Sequence, residues 1–150
     1  MQITFVLCWG TKKVERQFHF SSCLELFLEY TSRLRKFIPC NVKVTTPEAF
    51  APLPTDVNWC CHGHKGAMLP SSEELSAKVE MLMGSGVKNL NILIGPSDGF
   101  DETFLKRLHM TTWSFGPLTL PHELAAVLAS EQIYRALSII NRHPYHLGHN

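Results

Sequence analysis

Apolar residues fall into two rhythms along the chain. Residues 3–9 (ITFVLCW) form a nearly continuous apolar run that stops at Gly10, the pattern of a buried β-strand and a turn. The stretch SSCLELFLEYTSRLRKF then places Leu24, Phe27, Leu28, Tyr30 or Thr31, and Leu34 at helical spacing, with Ser21 or Ser22 as N-cap. A short alternating strand at 41–45 leads into a connection carrying Pro47, Pro52 and Pro54, where helix is disfavoured. Residues 57–61 predict a third strand, running into a turn around Gly63 and Gly66. PSSEELSAKVEMLMGSG predicts a helix capped at Ser72 and stopped by Gly84 and Gly86. Residues 90–95 (LNILIG) predict a buried strand, 96–99 a turn, and about 101–109 a helix. A short strand is expected within WSFGPLTLP, and a long final helix over 123–140.

Strands alternating with helices predict an α/β domain with a largely parallel sheet. In such sheets ligands sit beyond the carboxyl ends of the strands. Three turns fall there, at 62–66, 95–99 and 114–121, and each carries glycine or proline, so backbone can approach a ligand closely.

Composition narrows the class. With 150 residues and 45% hydrophobic content, the chain suits one domain with a real core. A net charge of +1 means that nucleic-acid binding would rest on a local patch rather than a global field. The five scattered cysteines (8, 23, 40, 60 and 61) do not suggest a disulfide framework, and a reducing cytoplasm is the expectation. No stretch reaches the roughly 18 apolar residues of a membrane span, and the first residues lack the basic start of a signal peptide. Internal repeats and low-complexity tracts are not seen.

The tail is unusual in collecting His, Pro, Tyr and Arg behind an apolar helix. Several of its motifs recur together: LIG at 93–95, Gly99, WS at 113–114, LTLPH at 118–122, EQIYRA at 131–136 and HPYH at 143–146. GTK at 10–12, EYTSRL at 29–34 and SSEEL at 71–75 extend the set. In this order and spacing they resemble the RlmH family of the SPOUT superfamily, methyltransferases that modify N3 of a pseudouridine in large-subunit (23S) ribosomal RNA. The resemblance covers nearly the whole chain and is most specific in its last third. It implies an α/β SPOUT methyltransferase fold over residues 1–150, with a C-terminal deep trefoil knot, an exception to the usual topology rules. It further implies a cytoplasmic homodimer with S-adenosyl-L-methionine held in the knot and ribosomal RNA as partner, without a membrane role. By position, the family's cofactor contacts fall on His62, on Gly95 with Pro96, and on Gly116, Pro117, Leu118, Thr119, Leu120 and Pro121.

The sequence departs from the family at four places. His62-Gly63 stands where a Leu-Asp pair is common, and Gly95-Pro96 where Gly-Gly is common, which removes one N–H. The family's helix between the second and third strands is replaced by TTPEAFAPLPTD, and Leu147, not Lys or Arg, follows HPYH.

Three residues are candidates for the chemistry. His122 ends LTLPH and serves either as a backbone-satisfied histidine at the core edge or as a polar group facing the transfer site. Arg135 lies between apolar neighbours in the final helix; a guanidinium there suits a phosphate or a base. Tyr145 belongs to the HPYH knot of rings. The imide N3–H of a uracil-type base is a weak acid, so a nearby base or a stabilising cation would help, and these three residues are unassigned between the two roles. Arg142, His143 and His146 are candidate RNA contacts through charge and ring stacking, or parts of a tail packed on the sheet. Cys60, His62 and His64 would share one face of a strand, but no second pair completes a zinc site, so a changed cofactor loop is favoured over a metal. The competing reading is a non-catalytic RNA- or ribosome-binding paralogue with a degenerate cofactor loop.

Overall fold

Alternation along the first strand, β1 (Gln2–Leu7), decides the layering of the computed structural model, which describes residues 1–61, 71–96, 99–116 and 119–146. Ile3, Phe5 and Leu7 join one apolar cluster, while Val6 joins a second on the opposite face. Beside β1 run β2 (Cys40–Val44), β3 (Val57–Cys61), β4 (Asn89–Ile94) and β5 (Thr111–Trp113), in the order β2-β1-β4-β3-β5. Every neighbouring pair is parallel, which is the expected α/β architecture.

The helices are unequally shared between the two faces. Helix α2 (Ser21–Leu34) and helix α3 (Ser72–Gly84) both pack against α5 (His122–Ile140) over the larger cluster. Trp59, Ile92 and Trp113 supply the floor of that cluster, and Ala126, Ala129, Ile133, Ala136 and Leu137 its roof. Helix α4 (Glu102–Arg107) covers the other face through Phe104 and Leu105, against Val6, Cys60 and Leu93. A single turn, α1 (Val14–Gln17), follows β1 and was not foreseen.

Toward the amino ends of the strands this second face is polar. Thr4, Asn89 and Asn91 line a cavity of about 660 Å³ beneath the proline-bearing connection between β2 and β3. Asp56 fastens that connection to the sheet. Its carboxylate accepts from Asn89 Nδ2 at 2.9 Å, Asn91 Nδ2 at 3.0 Å and the Leu53 N–H at 3.1 Å. Only a 3₁₀ turn, Pro47–Ala49, forms among its prolines.

The structure corrects several local expectations. Strand β5 precedes most of WSFGPLTLP: the β-branched Thr111 and Thr112 pair with β3, while Gly116 turns the chain at a positive φ and bonds Ser114 instead of a strand. Helix α4 ends at Arg107, where the chain turns through a positive φ of 49° at His109. Ser71, not Ser72, caps α3 by accepting from Glu74 N at 3.1 Å; Ser72 instead donates to Gln132 Oε1 on α5 at 2.8 Å. Neither Ser21 nor Ser22 caps α2. The buried carboxylate of Glu123 takes that place from about one hundred residues away, accepting from His19 N and Phe20 N at 3.0 Å each.

That long-range cap predicts a measurable cost. Glu123→Ala strands two N–H groups at the start of α2, and the denaturation midpoint should fall by the equivalent of ~1–3 kcal/mol. Glu123→Gln, which keeps one acceptor oxygen, should recover part of the loss. Equal stability of all three proteins would contradict the capping role.

Candidate functional site

The carboxyl ends of β1, β3, β4 and β5 meet on one side of the sheet, and two of the three expected turns are partly described there. After β4, the Pro96 carbonyl accepts from Gly99 N at 2.9 Å, closing the turn, and Gly99 takes a φ of 84°. Gly95 cannot carry a side chain, because a Cβ would stand 2.5 Å from the Phe100 ring. After β5, Ser114 Oγ accepts from Gly116 N at 3.1 Å and fixes a φ of 109° that only glycine adopts readily. No described atom lies within 4 Å of where a Cβ would sit on Gly99 or Gly116. Gly99 is exposed, whereas Gly116 is buried with both its N–H and its carbonyl bonded to Ser114 Oγ. Thr119 and Pro121 are exposed and Leu120 half-buried as the chain enters α5. His62, Pro117 and Leu118 lie outside the described residues, as does His64.

His122 opens α5 at the rim of this cradle. Its ring lies 4.6 Å from that of Trp9, which follows β1. Its Nε2 is buried with no hydrogen-bond partner among the described residues and stands 4.0 Å from Glu123 Oε2. Burial holds its pKa below the usual histidine value; the Glu123 carboxylate opposes that effect and His19 adds to it. The imidazole is thus neutral at neutral pH and presents an uncommitted nitrogen. Trp9 Nε1 in turn donates to the Gln17 carbonyl at 2.7 Å.

A second cluster forms where the tail folds back on α5. Glu131 is its centre. Oε1 accepts from Arg135 Nε at 3.0 Å, Arg135 Nη2 at 2.7 Å and Tyr145 Oη at 3.0 Å. The Arg135 guanidinium lies 4.8 Å from the centre of the Tyr145 ring, a cation–π contact. Arg135 Nη1 meets His146 Nδ1 at 3.0 Å, and His146 Nε2 meets Glu73 Oε1 on α3 at 2.8 Å. A guanidinium only donates, so Nδ1 accepts and the Nε2–H points at Glu73. The hydrogen bond from His146 holds the Glu73 carboxyl below its ordinary range. Burial raises the Tyr145 pKa, reinforced by hydrogen bonds to Tyr30 and Glu131, so this phenol stays protonated and acts as a donor.

The two clusters are far apart. Thirteen residues of helix separate His122 from Arg135, a rise of roughly 20 Å, so one chain does not bring them to a common atom. Arg135 and Tyr145, two of the candidates for the chemistry, cluster instead with His146, a candidate RNA contact, and stand apart from His122. Arg142 and His143 are exposed beyond α5, with Arg142 at a φ of 56° and His143 edge-on to Phe37 at 5.8 Å. Cys60 is buried on the α4 side of the sheet, and no group of three metal-binding side chains occurs among the described residues. Sequence reasoning missed Trp9, Gln17, Glu123 and Glu131, whose roles depend on neighbours distant in the chain or on one another. Only Glu131, four residues before Arg135, carried a local signal.

The fold is an α/β domain with a candidate ligand cradle at the carboxyl ends of its strands and a histidine at the rim. Residues 53–146 match the family described as "Predicted SPOUT methyltransferase", and the chain belongs to that family. It is similar to the Ribosomal RNA large subunit methyltransferase H of Xylella fastidiosa (strain 9a5c), 44% identical over 84 residues, 56% of this chain and 51% of that protein. The protein of the same name from Koribacter versatilis (strain Ellin345) is 46% identical over 78 residues, 52% of this chain and 53% of its own. The match spans about half the length of these relatives. A probable methylase family protein from Haemophilus influenzae Rd KW20 shares the fold, with a TM-score of 0.55 at 12% identity over 95% of this chain and 69% of that one.

The state of His122 sets a pH dependence. Below the ordinary histidine value of 6.5, the unfolded chain takes up a proton that native His122 resists. Its contribution to stability is present above that pH and is lost as the pH falls toward the lower native value. The drop in denaturation midpoint from about pH 7.5 to about pH 5.5 should be shallower in His122→Gln. Superimposable pH profiles would show that His122 is not held neutral.

Proposed function

We propose that the chain is an S-adenosylmethionine-dependent methyltransferase acting on N3 of a pseudouridine in large-subunit ribosomal RNA. One coincidence carries this reading. The family match, residues 53–146, contains the turns of the cradle, His122 and the network around Glu131. The names of the relatives supply the substrate class.

The side-chain-free turns at Gly95, Gly99 and Gly116, beyond the carboxyl ends of the strands, suit close approach of a ligand to the main chain. Gly95, Pro96, Gly116, Thr119, Leu120 and Pro121 would hold the cofactor, together with His62, Pro117 and Leu118. When bound there, S-adenosylmethionine supplies an electrophilic methyl group. The protein's own part is to place N3 in line and to remove its proton. A neutral imidazole with a free Nε2 is suited to accept that proton, which assigns His122 as base. Arg135, oriented by Glu131 and Tyr145, is suited to balance the imide anion. Tyr145 holds the guanidinium and is a donor, not a base. Exposed Arg142 and His143, with His146, meet the RNA.

The separation of His122 from Arg135 favours a homodimer in which two copies complete each site. Exposed Leu124 and Leu128 on α5 supply apolar surface for it. The return of α5 from the β5 edge across α2 and α3 fits the path of a C-terminal knot. No described helix is long and apolar enough to cross a membrane; a ribosomal substrate would go with a cytoplasmic protein. One observation favours the second reading, a non-catalytic paralogue: Pro96 offers no N–H to a cofactor.

Mass mapping of large-subunit RNA from cells with and without the gene should show one pseudouridine that loses its N3 methyl group when the gene is removed. Unchanged methylation would refute the assignment. Calorimetric titration with S-adenosylmethionine decides between the readings, since the paralogue would give no heat of binding.

A further inference from the structure

Two buried polar atoms among the described residues have no hydrogen-bond partner, Gln17 Nε2 and His122 Nε2. Both belong to one cluster, joined by Trp9, whose indole touches the His122 ring and donates to the Gln17 main chain. The Gln17 carboxamide cannot escape by rotating. Its Oε1 accepts from Lys12 N at 3.2 Å, and a flipped amide would set N–H against N–H. The leftover donor belongs to a residue only 6% exposed.

An orphaned amide donor is costly to bury. Here the chain is arranged to keep it. Gly10 leaves room for the carboxamide, since a Cβ at that position would stand 2.7 Å from Gln17 Nε2. A buried polar group without a partner calls for an explanation, and a partner that arrives with a ligand is one. The cover is thin: residues 11 and 12 are exposed, and the turn over Gln17 is tied to its carboxamide by the single Lys12 bond.

An imide edge presents a carbonyl oxygen beside an N–H, and it calls for one donor and one acceptor side by side. Gln17 Nε2 offers a donor and His122 Nε2 an acceptor, both in the cluster that Trp9 joins. We propose that Gln17 is a specificity-determining residue of the methyl-acceptor site, whose carboxamide N–H donates to a ring carbonyl of a uracil-type base as turn 10–12 moves aside. A cytosine-type base, which has an unprotonated N3 beside an amino group or a lone carbonyl, mismatches this pair. The inference rests on the methyltransferase reading above and adds to it the residue that tells one base class from another.

Two variants test it. Gln17→Met removes both polar atoms at nearly constant shape; Gln17→Glu keeps the acceptor for Lys12 and removes the donor. Each is compared with the parent by thermal melting, by titration with S-adenosylmethionine, and by binding of two RNA hairpins differing in one uracil-type or cytosine-type base. The parent should prefer the uracil-type hairpin, and both variants should lose about tenfold of that preference. Cofactor affinity should be unchanged, and Gln17→Met should melt no lower than the parent. Unaltered preference, or a loss of cofactor affinity in its place, would overturn the assignment. A parent protein that binds neither cofactor nor either hairpin would refute the methyltransferase reading itself, and this inference with it.

Discussion

Helix α5 is buried against two other helices at once, and the placement of every candidate group follows from that packing. Ala126, Ala129 and Ala136 are fully buried, and their small side chains let α2 and α3 lie close on either side. Ile133 and Leu137 fill the remaining space above the sheet. Ser130 and Ser138 are buried too, but their hydroxyls return to the carbonyls of Val127 at 2.9 Å and Tyr134 at 2.8 Å, so no polar group is wasted. A helix wedged in this way is a rigid ruler. It fixes His122 at one end and Arg135 four turns further on, and neither can drift toward the other.

Two carboxylates convert that ruler into a scaffold for chemistry. Glu123 ties the start of α5 to the start of α2, which brings the chain after β1 and the Trp9 ring against His122. Glu131 gathers Arg135 and Tyr145, and through Arg135 it sets the tautomer of His146. Arg135 is therefore a held charge rather than a free fork. On the proposed reading, its value to a developing anion would lie in pre-set orientation, with little left to reorganise at the moment of reaction.

Local patterning foretold what local physics governs. The alternation in β1, the apolar run of β4 and the face of α5 all marked their elements, and glycine and proline marked the turns. Tail motifs singled out Arg135 and Tyr145 for the chemistry and His146 for RNA contact, but not the network that joins them. What sequence did not disclose is non-local. The cap of α2 comes from Glu123, not from the adjacent serines, and a side chain one hundred residues away leaves no mark on the helix it caps. Ser72 looks like a cap and instead reaches Gln132 on α5. Gln17 sits in a one-turn helix too short to show a period, and its orphaned amide is visible only once Gly10 is seen beneath it. The distance between His122 and Arg135 was readable from helix geometry, yet its consequence for a shared site emerges only when both ends are seen in separate clusters.

That consequence is the claim most open to a direct test. His122→Ala and Arg135→Ala proteins, each inactive alone, are unfolded together, refolded together and assayed for methyl transfer to ribosomal RNA. Random pairing makes half of the dimers mixed, and each mixed dimer carries one site with both residues intact. Activity should return to about a quarter of the parental value if two copies complete each site. A mixture as inactive as its components would place both residues of each site in one chain, contrary to the geometry of α5.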